Sequence, residues 1–157
     1  MSVILPGSYD PVTIGHIEII KRAAQEHNEV YAVIFVNENK SYRFSLEDRV
    51  RMLELATEEL DNVLVSYSVG RVVDYMREHA IDRIIKGYRN DADLEWERYQ
   101  ADYNMKHGGY ETELIKCDDS FINVSSTVVR DKLDKGEDIS DLVPNSVCEY
   151  ISSLDLS

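Results

Sequence analysis

Short apolar runs alternate with segments of helical period along this chain, and no other feature limits its possible folds as much. Positions 2–5 (Ser-Val-Ile-Leu) form a run stopped by Pro6-Gly7, a strand by its length and β-branching. Positions 15–27 follow with Ile17, Ile20 and Ala24 at helical spacing. Positions 30–36 are a continuous β-branched and aromatic run suited to a strand buried on both faces. Ser45-Leu46-Glu47-Asp48 reads as a capping box with Asp in place of Glu, opening a helix to about Leu60. Val63-Leu64-Val65 is a third strand, 71–79 a helix with Val72, Val73 and Met76 on one face, and Arg83-Ile84-Ile85 a fourth strand. Positions 91–107 read as a helix, Thr112 to Ile115 as a fifth strand, Ser125 to Lys135 as a helix closed by Gly136, and 145–154 as a last helix after Pro144.

Parallel strands need a crossover between them, and helices are the usual crossover. Right-handed crossovers leave few topologies. The expected fold is α/β: a Rossmann-like, doubly wound, five-stranded parallel sheet with helices on both faces. No repeat, low-complexity tract or linker interrupts the chain, so 1–157 read as a single domain. Seventeen Lys and Arg against 30 Asp and Glu leave a net charge of −13, which argues against duplex nucleic acid as a partner. A small anionic ligand stays possible wherever cations gather locally. No apolar run nears the roughly 20 residues of a membrane span. The run Ser2–Leu5 is too short for the apolar core of a secretory signal. Cys117 and Cys148 lie far apart and form no CxxC, so neither a disulfide scaffold nor a cysteine zinc site is expected, and a reduced cytoplasmic compartment is.

Ligands of doubly wound sheets sit beyond the carboxyl ends of strands, where the strand order reverses. That directs attention to the loops after the first and fourth strands. The first reads Pro6-Gly7-Ser8-Tyr9-Asp10-Pro11-Val12-Thr13-Ile14-Gly15-His16. Gly7 and Gly15 allow close backbone approach, and Ser8 offers a hydroxyl and an N–H at the strand end. Thr13 is placed to cap the next helix, whose free N–H groups attract anions. His16 falls in that helix's first turn, and either of its protonation states donates to a phosphoryl oxygen. The second loop, Lys86-Gly87-Tyr88-Arg89-Asn90-Asp91, sets two cations around a glycine in an acidic protein. Phosphate binding explains that exception better than solvation. Ser125-Ser126-Thr127 opens a helix, a pattern common to many capped helices and suited to phosphate oxygens. On bare chemistry, Lys40 reads as a solvated loop cation, Glu97 as a solvated carboxylate hardly less well than as a ligand, and Trp96 as a core side chain.

The string through Thr13-Ile14-Gly15-His16 resembles the (His/Thr)-x-Gly-His signature of the nucleotidyltransferase superfamily, and its full length resembles the phosphopantetheine adenylyltransferase family. The resemblance covers nearly the whole chain. Lys40 with Phe44-Ser45-Leu46-Glu47-Asp48-Arg49, Lys86-Gly87-Tyr88-Arg89 followed by Asp, and Val124-Ser125-Ser126-Thr127 are similar to further family segments. The resemblance implies transfer of the adenylyl group of ATP to 4′-phosphopantetheine by direct in-line attack, with Mg²⁺ travelling on ATP and no carboxylate cage for a protein-held metal. It implies His16, Lys40 and Lys86 as catalytic residues. It implies Ser8, Tyr9, His16, Gly87, Tyr88, Arg89, Glu97, Val124, Ser125, Ser126 and Thr127 around ATP, and Ser8, Lys40, Val72 and Lys86 around the acceptor. It also implies a homohexamer.

The chain departs from that pattern in places. Lys86 stands for an Arg, keeping the charge without the planar fork. Arg71 replaces an apolar residue beside the family's pantetheine-arm site. The stretch before Ser125 carries Asp118-Asp119 and lacks the usual Trp or Tyr. Two alternatives therefore stand beside adenylyl transfer to phosphopantetheine. One is a related nucleotidyltransferase acting on nicotinate mononucleotide or an alcohol phosphate. The other is a nucleotide-binding module without turnover.

Overall fold

A computed structural model describes residues 1–155; the last two positions of the expected domain, 156–157, lie outside the described residues. The five strands are β1 (Ser2–Gly7), β2 (Glu29–Phe35), β3 (Val63–Ser68), β4 (Arg83–Tyr88) and β5 (Thr112–Lys116). The helices are α1 (Ile14–Glu26), α2 (Leu46–Thr57), α3 (Val72–His79), α4 (Asp91–Gly108), α5 (Ser126–Asp134) and α6 (Asn145–Asp155). A short 3₁₀ turn, Asp119–Phe121, which periodicity is too coarse to show, precedes α5. The strands pair in parallel in the order β3-β2-β1-β4-β5. Chain order runs outward one way from β1 to β3 and the other way from β4 to β5. The reversal point therefore lies between β1 and β4.

Alternate strand residues feed two separate cores. Val3, Leu5, Val30, Ala32, Ile34 and Ile85 join α1, α2, α5 and α6 in the larger one. Ile4, Val33 and Ile84 point the other way, onto Tyr75 and Met76 of α3. That period-2 division is why the central strands read as unbroken apolar runs. Ile19 of α1 lies so close to β4 that a Cβ on Gly87 would meet it at 2.9 Å. A glycine is needed there for helix–strand packing alone.

Two local expectations need correction. Only half of the capping box at α2 forms: Ser45 accepts the Asp48 N–H, while the Asp48 carboxylate accepts the Tyr150 hydroxyl of α6 at 2.7 Å. Trp96 is 57% exposed and stacked on Tyr99, not a core residue. The reason is that α4 buries none of its residues; it lies along α3, β4 and β5 through partly covered side chains.

Candidate active site

At the entry to α1, Thr13 Oγ1 accepts the His16 N–H at 3.4 Å, and His16 Nδ1 accepts the Thr13 backbone N–H at 3.0 Å. This is a capping box with His in the place of Glu or Gln. A backbone N–H only donates, so Nδ1 holds no proton and the neutral ring keeps its proton on Nε2. The His16 pKa is lowered to about 4, first by burial and then by the Lys86 and Arg89 cations. In the ligand-free molecule His16 is therefore a neutral imidazole whose Nε2–H is the donor left for a ligand. Tyr9 packs 4.9 Å from it, ring to ring, and donates its own hydroxyl to the Leu5 carbonyl at 2.8 Å.

A cavity of about 300 Å³ opens at the carboxyl ends of β1 and β4, at the reversal point. Ser8, Tyr9, His16, Lys86, Gly87, Tyr88, Arg89, Glu97, Val124, Ser125 and Ser126 all line it. The first turns of α1, α4 and α5 converge on it. Their unpaired N–H groups and the positive ends of their dipoles suit a polyanion. Ser125 caps α5 by accepting the Val128 N–H, and Ser126 donates to the Pro11 carbonyl at 2.8 Å. Arg89 is held by Asp93 at 3.0 Å. Thr127 does not line the cavity: one residue further around the helix, it is exposed, and its hydroxyl accepts from Arg130 at 3.1 Å.

A second, more open cleft of about 620 Å³ lies alongside. Lys40, Arg71, Val72, Trp96 and Tyr103 line it, which brings the expected Lys40 and Val72 together. The two spaces share Pro6, Gly7, Ser8, Lys86 and Glu97. Lys86 sits in this seam, paired with Glu97 Oε2 at 3.3 Å and donating to the Pro6 carbonyl at 3.3 Å. Burial pushes the Glu97 carboxyl above its usual range, against the pull of Lys86. The pairing answers the bland reading of Glu97, because the carboxylate is mostly buried at 12% side-chain exposure. Asp93 and Glu97 are the carboxylates of the first cavity, and both are engaged by the chain's own cations. The Glu26–His27–Glu113 cluster, which has metal-ligand spacing, lines neither space.

Sequence reasoning gave no role to Phe121, Asp93 or Arg130. Phe121 supplies an aromatic ring to the first cavity from the 3₁₀ turn. Its signal was legible as an aromatic shortly before the Ser-Ser-Thr string. Asp93 and Arg130 act by holding neighbours, and such pairings span turns and loops whose geometry periodicity does not give.

Comparison with known proteins agrees with this architecture. Residues 4–132 match the family described as cytidylyltransferase-like. The chain is 38% identical over 149 residues to a phosphopantetheine adenylyltransferase from Thermobifida fusca, covering 95% of this chain and 91% of that protein. It is also 38% identical to a protein of the same name from Corynebacterium diphtheriae, covering 94% of each chain.

Proposed function

The chain belongs to the cytidylyltransferase-like family and to the phosphopantetheine adenylyltransferases among its members, and from that premise we propose that it transfers the adenylyl group of ATP to 4′-phosphopantetheine. The products are dephospho-coenzyme A and pyrophosphate. One observation carries the proposal: two spaces, one reached by helix N-termini and one lined in part by exposed side chains of α4, meet at Ser8, Lys86 and Glu97. An acceptor phosphate entering from one side faces the α-phosphate of a nucleotide held on the other.

The acceptor oxygen attacks the α-phosphorus in line, the bond to the bridging β-oxygen breaks, and pyrophosphate leaves. No covalent enzyme intermediate is needed, so the chain's task is positioning and charge stabilisation. His16 Nε2–H and the Ser8 N–H donate to the α-phosphoryl oxygens, where charge grows. The neutral ring gives up no proton that would have to be restored. Lys86 moves from Glu97 toward the incoming phosphate, and Lys40 meets the same group from the open cleft. Arg89, with the N-terminus of α5, holds the nucleotide. Magnesium would accompany ATP as part of that substrate, and the cavity carboxylates Glu97 and Asp93 are paired instead with Lys86 and Arg89.

Among the described residues no helix is long and apolar enough to cross a membrane. We also propose, from the family resemblance, that the chain works in the cytoplasm as a homohexamer. Exposed Leu64, Tyr67 and Val69 near one sheet edge and Tyr99, Tyr103 and Met105 on α4 are compatible with contacts between copies. The other acceptors weighed above are not favoured by these relatives. The decisive experiment measures pyrophosphate release from ATP with and without 4′-phosphopantetheine. Release that depends on the acceptor supports the proposal. Binding of ATP with no acceptor-dependent release, or release only with nicotinate mononucleotide, defeats it.

A further inference from the structure

Two charged side chains are buried where the loops meet, Asp10 at 3% exposure and Arg49 at 2%. Buried charges persist only when their hydrogen-bonding capacity is met. Here both are met largely by loop backbone. Asp10 accepts the N–H groups of Arg43 at 2.8 Å and Phe44 at 3.0 Å. Arg49 donates from Nε to the Phe44 carbonyl at 3.2 Å and from Nη1 to the Ser8 carbonyl at 3.1 Å. Its guanidinium also lies 3.9 Å from the centre of the Tyr42 ring. The Tyr42 hydroxyl in turn accepts the Asn37 N–H at 2.9 Å.

Segment 37–44 is thus held at both ends. Tyr42 ties its start to Arg49, and Asp10 and Arg49 tie its finish to the loop after β1. Lys40 lies between those ties. Its N–H donates to the Asn37 carbonyl at 3.0 Å, and its Nζ is 5.6 Å from the Tyr42 ring. Lys40 is exposed and outside any helix or strand, so little but this clamp limits where its ammonium goes. Geometry errors of about 1 Å at a reacting group cost on the order of 100-fold in rate.

We propose that Asp10 and Arg49 are positioning residues that set Lys40 against the transfer site through the 37–44 segment, without touching substrate. The inference rests on the reading of the two spaces as nucleotide and acceptor sites. It is tested by steady-state kinetics of Asp10→Asn, Lys40→Ala and the double variant. Asparagine keeps the shape, but its amide turns a donor toward one of the two N–H groups. Asp10→Asn alone lowers kcat by about 10- to 100-fold, with the KM for ATP within about twofold. In the Lys40→Ala background the same change costs less than about twofold, because the group it positions is gone.

Effects that multiply overturn the inference, as does an unchanged kcat in either single variant. Tyr42→Phe removes only the hydroxyl that holds Asn37 and keeps the ring beside Arg49, so it tests the same clamp if Asp10→Asn fails to fold. It lowers kcat by about threefold, and that loss also vanishes with Lys40→Ala. A wild-type protein that releases no pyrophosphate overturns the functional reading and this inference together. An active wild type whose variants multiply overturns this inference alone.

Discussion

The cavity at the strand reversal and the open cleft beside it, proposed above for nucleotide and acceptor, share a seam but are built differently. In the cavity, polar groups are already engaged by the chain: His16 by Thr13, Arg89 by Asp93, Ser126 by Pro11. Its walls include Tyr9 at 4% and Val124 at 8% exposure. The cleft is lined by α4, by loops and by strand residues such as Phe35, Ile84 and Thr112, with Tyr99 at 66% exposed and Arg71 tied to Asp74 on the surface. A site whose dipoles are set in advance stabilises a transition state, because no reorganisation is needed as charge develops. An open wall of long side chains selects and admits a flexible acceptor but stores less preorganisation.

That contrast is tested most severely at His16. His16→Ala lowers kcat by about 100- to 1,000-fold, about 2.7–4 kcal/mol, while ATP affinity by calorimetry changes little. An unchanged kcat removes the preorganised donor from the account. At the seam, Lys86→Ala raises the acceptor KM by about 10- to 100-fold, the scale of one charge-assisted hydrogen bond at 1.5–3 kcal/mol, and Lys86→Arg retains most activity. Equal losses for ATP and acceptor would erase the division between the two spaces.

A smaller effect appears in stability against pH. The folded His16 pKa is lowered to about 4, and an unfolded histidine titrates near 6.5. Between those values the unfolded chain binds the extra proton, so this contribution weakens stability as pH falls from about 6.5 to about 4 and is constant above. Urea unfolding of the ligand-free protein shows a shallower slope in that window for His16→Ala; identical slopes would mean that the ring is not held neutral. The smallest effect is optical. Trp96 is the only tryptophan and lines the cleft but not the cavity, so its fluorescence responds to 4′-phosphopantetheine and not to ATP. A response to ATP alone would contradict the assignment of sides.

Most of the cavity was legible before any coordinates. Its residues come from three strand-to-helix junctions, and at such junctions glycines, capping hydroxyls and cations stand out against apolar runs. Of the cleft, Ser8, Lys40, Val72 and Lys86 were legible. Much of its remaining lining comes from α4, whose side chains are neither buried nor periodic enough to announce a role. Trp96 illustrates the failure: an aromatic in a helix is core by default, and only the placement of α4 against partly covered neighbours leaves it outside.

The order of strands and helices, the loops proposed to bear chemistry and the charge that argues against duplex nucleic acid follow from the amino-acid sequence itself, because burial and backbone propensity act over a few neighbouring residues. Tertiary structure alone decided the partnerships: Lys86 with Glu97, Arg49 with the Ser8 carbonyl, Asp10 with the 43–44 backbone, and the second core on α3. Those depend on where crossovers return each strand. A hydrogen bond reads distance in space, and positions 8 and 49 become neighbours only after the sheet has formed.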